Sequence, residues 1–177
     1  GLLSRLPILE HEQLHLSPDR PDLRAVVEHG GQAATILVAH PPPPRLSRQG
    51  VVFDLTTIRQ IERLAVTAVE TAPAVLLGDF NMTTGNPIYA WLESLGLVDA
   101  FLQAGVGRGV TFPVRLGKTR RVNHRLSWLP LPPMARIDYI WHSGNLTSLA
   151  AWVGTGAGSD HLPVFARLSL PVVTEKE

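Results

Sequence analysis

The sequence contains no cysteine, which excludes disulfide bonds and thiolate metal sites. Charged residues make up only 18% of the 177 positions, and the formal net charge of +1 gives no strong overall field for nucleic acid or membrane. No apolar run approaches the roughly 18–20 residues that a membrane-spanning helix needs. Residues 1–13 also lack the long apolar core and the cleavage site of a signal peptide. These absences predict a soluble domain and leave its compartment open.

The residues that are present predict one globular domain over positions 1–177. Hydrophobic residues make up 45% of the chain, which is sufficient for a core. A pair of glycines at 30–31 predicts a hairpin turn, and four prolines at 41–44 exclude helix and central strand there. Periodicity predicts two helices, at 54–70 with Asp54 as cap and at 87–95 with Asn86 as cap. It predicts strands at 12–16, 22–29, 32–40, 72–80, 136–143, 146–154 and 162–170. Because helices and hairpins mix without strict alternation, the pattern favours a mixed-sheet α/β or α+β domain.

Six polar side chains lie within or next to predicted apolar strands, where fixed groups can converge on a ligand. They are His40, Asp79, Asn81, Asp138, Asp160 and His161. Taken singly, most have ordinary structural explanations: His40 suits a strand-end histidine bonded to the backbone, and Asp79 or Asp160 suits a turn or cap. Asp138 is different, because an ionised acid between Ile137 and Tyr139 in an apolar strand needs a partner.

Together, these six side chains suit the attack of water on a phosphoryl centre. Asp79 and Asp160 are hard oxygen ligands of the kind that Mg²⁺ or Mn²⁺ prefers. His161 can act as a general base, and a buried acid such as Asp138 can fix its tautomer. The remaining two, Asn81 and His40, can donate hydrogen bonds to phosphate oxygens.

The order of the motifs resembles the endonuclease/exonuclease/phosphatase superfamily, which includes the pancreatic-type deoxyribonucleases. The matching stretches are GLLSRLPI (1–8), ILVAHPPPP (36–44), LLGDFNMTTGNPIY (76–89), RIDYIW (136–141) and GSDHLPV (158–164). The glycine-rich VGRGVTFP (106–113) and the proline run are most similar to a bacterial branch that is often attached to membrane helices. The resemblance therefore implies a bacterial protein, either cytoplasmic or tethered to a membrane through an N-terminal region.

The resemblance implies a fold and a role for each site residue. The fold would be a four-layer sandwich of two mixed β-sheets, packed face to face with helices outside. Asp79 would orient or ionise the attacking water, Asn81 would hold that water and the phosphate, and His40 would contact the scissile phosphate from the opposite side. The catalytic base would be His161, oriented by Asp138, and Asp160 would contribute to a Mg²⁺ or Mn²⁺ site.

The resemblance covers only about the last two-thirds of a family domain. In the family, an asparagine motif and a metal-binding glutamate precede SRLPI, and neither has a matching position here. Glu10 and Glu12 follow SRLPI in the chain, so neither can correspond to that glutamate. We therefore expect an N-terminally truncated chain that lacks the first strands of the fold and binds metal weakly on its own. Its uncovered sheet predicts self-association or a missing N-terminal segment as partner.

A basic segment follows the glycine-rich stretch and has two interpretations. Arg115, Arg120 and Arg121 belong to a run of cations without any acid between them. The run is either a solvated loop or a substrate-binding loop that grips phosphates of a nucleic acid, phospholipid or phosphosugar. The main functional prediction is a metal-dependent phosphodiesterase or nuclease. The alternatives are a catalytically inactive binding module of the same fold and a phosphoesterase directed at membrane lipids.

Overall fold

The computed structural model describes residues 1–17, 20–48, 50–116, 127–156 and 158–171. Three helices and ten strands follow one another along the described chain. In order they are β1 (Ile8–Leu14), β2 (Asp22–His29), β3 (Gln32–Ala39), β4 (Arg45–Ser47), β5 (Gly50–Val52), α1 (Leu55–Glu70), β6 (Ala74–Asp79), α2 (Pro87–Ser94), β7 (Leu97–Asp99), α3 (Ala100–Ala104), β8 (Asp138–Ser143), β9 (Thr147–Val153) and β10 (Val164–Ser169).

The main sheet has six strands in the order β1-β2-β3-β6-β8-β7. β3 and β6 run parallel, and the other described pairs of this sheet are antiparallel. A second sheet consists of β9 and β10, and a short hairpin of β4 and β5 stands apart from both. The large mixed sheet, the second sheet and the flanking helices confirm the predicted α+β class.

The hairpin between β2 and β3 forms at the predicted glycine pair. Gly30 and Gly31 have φ angles of 60° and 78°, and His29 pairs with Gln32 across the turn. Two successive residues with positive φ are the signature of a type I′ turn, whose twist matches that of the strands it joins. The turn fixes the register of β3, the strand that ends beside the candidate site.

Helix α1 covers one face of the main sheet. Asp54 caps its start by accepting a hydrogen bond from Thr57 N at 2.8 Å, as predicted. The apolar stripe of α1 is fully buried in a core with residues of β3, β6 and β8; the stripe consists of Ile61, Leu64, Ala65 and Ala68. This packing holds the central strands in place.

The predicted cap of α2 is also present. The side chain of Asn86 accepts a hydrogen bond from Ile88 N at 2.9 Å, and Pro87 occupies the first helical position. Gly96, with φ of 84°, follows the end of this helix. Both caps were readable from sequence because they depend on local chemistry alone.

The short elements differ from expectation. The pattern predicted neither β4, β5 and β7 nor the five-residue helix α3, because segments of three to five residues carry too little periodicity. β1 begins at Ile8 instead of residue 12, as an exposed edge strand without the alternation that marks a half-buried one. Among the described residues between α3 and β8, isolated bridges at Gly105, Phe112 and Arg115 occur instead of regular strands.

The opposite face of the main sheet is only partly covered. One apolar row crosses four neighbouring strands through the pairs Leu23–Val38, Val38–Leu77 and Leu77–Ile140. Each member of this row retains partial solvent exposure. Within the described chain, none of the helices has the length and apolar character required to cross a membrane.

Candidate active site

The site forms where the parallel strands β3 and β6 end side by side. Gly78 pairs with Ala39 across these strands and has φ of 146°. A Cβ atom at position 78 would lie 1.9 Å from the carbonyl oxygen of Ala39, so only glycine allows this approach. His40 and Asp79 follow directly, and His40 Nε2 lies 3.6 Å from Asp79 Oδ2.

A second acid meets Asp79 from the other side. Asp79 ends β6 and pairs in register with Asp138, the first residue of β8. Because cross-strand partners project from the same face of a sheet, the register places two carboxylates together. Their side chains are 17% and 18% exposed, so both are mostly removed from solvent.

His161 completes the cluster from the loop before β10. Its Nδ1 atom lies 2.9 Å from Asp138 Oδ2, and its Nε2 atom lies 4.0 Å from Asp79 Oδ2. The ring of Phe112 packs on the imidazole with 4.6 Å between centroids. Main-chain hydrogen bonds from Leu162 N to Thr111 O and from Val114 N to Asp160 O fix this loop. The histidine is thus held from both the sheet and the glycine-rich segment.

Asn81 shows that GDFN is a turn and part of the site at once. Its main-chain N–H donates to Asp79 Oδ1 at 2.9 Å, which is an Asx turn. Its φ of 53° is left-handed, a conformation that asparagine tolerates better than most residues. The side-chain amide donates to Pro41 O at 3.0 Å. Asn81 therefore ties the end of β6 to the chain that follows His40.

A cavity of about 360 Å³ opens beside the cluster. Its polar wall contains Asp79, Asp138 and His161, and its apolar wall includes Leu77 and Ile140 from the exposed row of the main sheet. A reacting group bound here would have charged groups on one side and an apolar surface on the other.

The electrostatics of the cluster follow from burial and like charge. Burial raises the pKa of Asp79 above its ordinary value, and the neighbouring charge of Asp138 raises it further. Burial also lowers the pKa of His40, and the adjacent Arg20 guanidinium lowers it further. The cluster therefore favours a neutral His40 and disfavours the ionised form of Asp79.

The donor set suits a divalent cation. Asp79, Asp138 and His161 each offer one ligand atom, and these atoms lie within 4.8 Å of one another. The carboxylates are hard donors, and in the described chain neither has a lysine or arginine partner. A cation bound between two carboxylates that face each other in this way would reduce their electrostatic repulsion. The residues present fit a divalent metal ion.

The structure does not bring every predicted site residue into this cluster. The carboxylate of Asp160 lies outside the group of Asp79, Asp138 and His161, although its main chain supports the His161 loop. Arg115 stacks on Trp128, with its Cζ atom 4.4 Å from the ring centroid. The predicted substrate-binding residues Arg120 and Arg121 lie outside the described residues.

Sequence reasoning missed several groups around His40. Arg20 Nη1 lies 2.7 Å from His40 Nε2, and the buried Asp22 accepts hydrogen bonds from Gln60 Nε2 at 2.9 Å. Burial raises the pKa of Asp22, while Gln60 and the main chain of His40 lower it. An acid at the first position of a predicted strand was the one available signal for Asp22. Arg20 carries no motif and became visible only in three dimensions.

Comparisons with known proteins show the family and the fold of this chain. The sequence model of the Endonuclease/Exonuclease/phosphatase family matches residues 1–161. A comparison with curated proteins gives no match to the chain. Solved structures do match its fold, at 17–20% identity.

Three of these structures illustrate the likeness. An endonuclease/exonuclease/phosphatase from Beutenbergia cavernae has a TM-score of 0.68 at 20% identity over 94% of this chain and 46% of its own. A mannosyl-6-phosphatase from Bacteroides thetaiotaomicron has a TM-score of 0.66 at 17% identity, and the match covers 93% of this chain and 67% of that protein. TDP2 from D. rerio, complexed with a single-strand DNA product, has a TM-score of 0.64 at 18% identity, and the match covers 93% of this chain and 69% of that protein. The chain thus spans from about half to two-thirds of the length of these proteins.

Proposed function

The chain belongs to the endonuclease/exonuclease/phosphatase family, and from this premise we propose that it is a divalent-metal-dependent phosphoesterase that hydrolyses phosphodiesters. It would act as a nuclease or a related phosphodiesterase. The observation that carries the proposal is the 2.9 Å contact between His161 Nδ1 and Asp138 Oδ2, with Nε2 of the same ring directed toward Asp79. A histidine held in this way is prepared to take a proton from water.

His161 is the general base in this proposal. Asp138 accepts the Nδ1–H hydrogen bond, which leaves the Nε2 lone pair free to receive a proton. When His161 becomes an imidazolium, the carboxylate of Asp138 stabilises the new charge. This pair supplies the proton transfer that activates a water molecule for attack on phosphorus.

The other residues orient the reactants. Asp79 Oδ2 lies within 4.0 Å of the Nε2 atoms of both His161 and His40, so it can bind the same water as the base. Asn81 and His40 flank the phosphate in this scheme. A bound Mg²⁺ or Mn²⁺, held by Asp79 together with water and phosphate oxygens, would neutralise charge on the phosphoryl group. Asp160 stays a proposed second carboxylate for this ion.

The direct test is hydrolysis of bis-p-nitrophenyl phosphate with Mg²⁺, with Mn²⁺ and with chelator. The assay uses the purified 177-residue chain and, where its reading frame extends upstream of Gly1, the longer protein. We expect metal-dependent release of nitrophenol that stops with chelator. Phosphate binding without turnover in both proteins, under all metal conditions, would instead favour the inactive binding module.

A second candidate, a phosphoesterase that acts at a lipid surface, is favoured by one exposed group. Trp128, Leu129 and Met134 are 61%, 52% and 71% exposed, and Arg115 stacks on the first of them. Aromatic and apolar side chains beside a cation suit an interface with anionic lipid. Co-sedimentation with phosphatidylglycerol vesicles should weaken in Trp128→Ala and persist in Trp152→Ala if this surface binds lipid. Equal binding of both variants would reject this surface.

A further inference from the structure

A second cavity, of about 470 Å³, has no part in the proposed mechanism. Its apolar wall includes Phe101 and Met134, and no carboxylate is among the described residues that line it. Its polar wall consists of two arginines and two threonines: Arg108, Arg136, Thr83 and Thr84. Guanidinium and hydroxyl groups can all donate hydrogen bonds, so this lining suits an anion.

The glycine-rich segment between α3 and β8 places Arg108 at this cavity. Gly107 and Gly109, on either side of it, have φ angles of 92° and 69°, a region that residues with a Cβ atom rarely adopt. A Cβ atom at position 109 would also lie 2.6 Å from Cε1 of Phe101, so glycine allows the segment to pack directly on α3. Arg108 itself is exposed and has no partner among the described residues.

The second arginine of the cavity is fixed by its surroundings. Nη1 of Arg136 lies 2.7 Å from Oδ2 of the buried Asp99, and its Cζ atom lies 5.4 Å and 4.8 Å from the ring centroids of Phe101 and Tyr139. Because Asp99 offsets the charge of Arg136, the net positive charge at the cavity comes from Arg108. Arg108 is therefore the residue on which the affinity of the cavity for an anion depends.

Three chain segments connect this cavity with the catalytic cluster. Each segment has a lining residue of the cavity at one end and, at the other, either a site residue or the ring that packs on His161; the segments are 81–83, 110–112 and 136–138. A step of two residues spans at most about 7 Å of chain. Successive phosphates of one nucleic acid strand advance about 3.4 Å along the helix axis. Neighbouring phosphates of one strand can therefore reach the cluster and the cavity together.

We propose that this cavity is a subsite for a second phosphate of a nucleic acid strand, close to the phosphate that is cleaved. Arg108 binds this second phosphate, and the hydroxyl groups of Thr83 and Thr84 donate further hydrogen bonds to it. The subsite contributes affinity and position and takes no part in bond cleavage. The inference rests on the proposed phosphoesterase function and names nucleic acid as the substrate class, because a lipid with a single phosphodiester carries no second phosphate.

The test measures how much a second phosphate improves binding. The ligands are the thymidine dinucleotide TpT, which has one phosphodiester, and its forms pTpT and TpTp, which carry a further phosphate at the 5′ or the 3′ end. The Kd of each is measured by calorimetry on the purified chain with chelator present, so that no metal-dependent turnover occurs. The ratio of the Kd for TpT to the Kd for each phosphorylated form is the gain from the second phosphate.

Three variants are compared with the wild type. Arg108→Met removes the charge, and Arg108→Lys keeps the charge without the planar fork of the guanidinium. Arg63→Met is the matched control, because Arg63 is an exposed arginine on α1 without a side-chain contact in the described structure.

We expect the wild type to bind at least one of pTpT and TpTp about tenfold more tightly than TpT. Arg108→Met should lose most of this gain, Arg108→Lys should retain part of it, and Arg63→Met should keep all of it. The gain should also decrease as the ionic strength rises, because it depends on the attraction between charges.

A wild type that binds none of the three dinucleotides, or binds them with equal Kd values, would overturn the proposal. So would a gain that persists in Arg108→Met. The proposed function fails separately. A wild type that hydrolyses bis-p-nitrophenyl phosphate but shows no gain loses this inference alone, whereas one that shows the gain through Arg108 and hydrolyses no ester keeps this inference and loses the proposed function.

Discussion

Asp79 and Asp138 are direct cross-strand partners: the last residue of β6 lies opposite the first residue of β8. Like charges in this arrangement destabilise a sheet unless a proton or a cation intervenes. Burial raises the pKa of Asp79, and the neighbouring charge of Asp138 adds to this effect. The paired carboxylates therefore lower the folding stability of the chain and at the same time provide a position where a cation can bind.

Asp79→Asn should stabilise the metal-free chain at pH 7, because it removes one buried charge and keeps the oxygen that accepts from Asn81 N. A gain of about 1 kcal/mol would raise the melting temperature by roughly 2–4 °C. The pKa of Asp79 is raised in the folded state, so burial of its charged form costs the wild type folding stability at neutral pH. The wild type regains this stability as the pH falls through the folded-state pKa and the carboxylate becomes protonated. The gain should therefore vanish near pH 4, below which Asp79 is protonated in both states.

Asp54 supplies the control for that prediction, because its pKa shifts in the opposite direction. The hydrogen bond from Thr57 N lowers the pKa of this exposed cap. Asp54→Asn should therefore lose a little stability at neutral pH, and the loss should fade on acidification. Thermal melts of both variants between pH 3 and 8 measure the two trends. Parallel trends would contradict the assignment of Asp79.

His161→Ala should remove most of the hydrolytic rate, about 10²- to 10⁴-fold in kcat, because a positioned base contributes that much. The control is His11→Ala, an exposed histidine on the edge strand β1, which should leave the rate unchanged. Steady-state kinetics on a generic phosphodiester make the comparison. A retained rate in His161→Ala would mean that another group is the base.

Asp138→Asn should also be severe, because an amide can present N–H to Nδ1 and turn the histidine to the wrong tautomer. We expect a loss of kcat of at least about 10²-fold with little change in folding. The ¹⁵N signals of the His161 ring should show the proton move from Nδ1 to Nε2. Loss of activity without that change would place Asp138 in another role.

Gly78→Ala should destabilise the chain by roughly 2 kcal/mol or more, because the new methyl group meets the carbonyl of Ala39. Gly85→Ala is the matched control in the turn that follows β6, with open space around it, and should stay within about 0.5 kcal/mol of the wild type. Chemical denaturation gives both values. If Gly78→Ala leaves the free energy of unfolding unchanged, β3 and β6 can move apart with little loss of stability.

The partly exposed row of Leu23, Val38, Leu77 and Ile140 predicts self-association of the 177-residue chain at micromolar concentration. Val38→Lys should weaken the association, and Val66→Lys, at a position 41% exposed on α1, should not. Sedimentation velocity separates the species. A wild type that sediments as a monomer over the whole range contradicts the prediction. A longer protein that covers the row with its own strands should associate less.

The sequence was most informative where the chemistry is local. The caps Asp54 and Asn86 and the glycine turn at 30–31 depend on residues a few positions apart, so their patterns could be interpreted directly. The motif order also identified the family and the α+β class. The residues of GDFN taken alone left a turn and a site both open, and the structure contains both: Asp79 Oδ1 accepts from Asn81 N in an Asx turn, and Asp79 Oδ2 faces His40 and His161.

By itself the sequence determined which residues end the strands and which of them can bind metal, transfer protons or hold phosphate. The tertiary structure alone decided which of these meet. Strand register placed Asp79 opposite Asp138, and the close passage of β3 past Gly78 brought His40 to Asp79. Arg20, in the connection between β1 and β2, also meets His40. These contacts join residues 20 to 59 positions apart, and their geometry depends on sheet packing that no local pattern encodes.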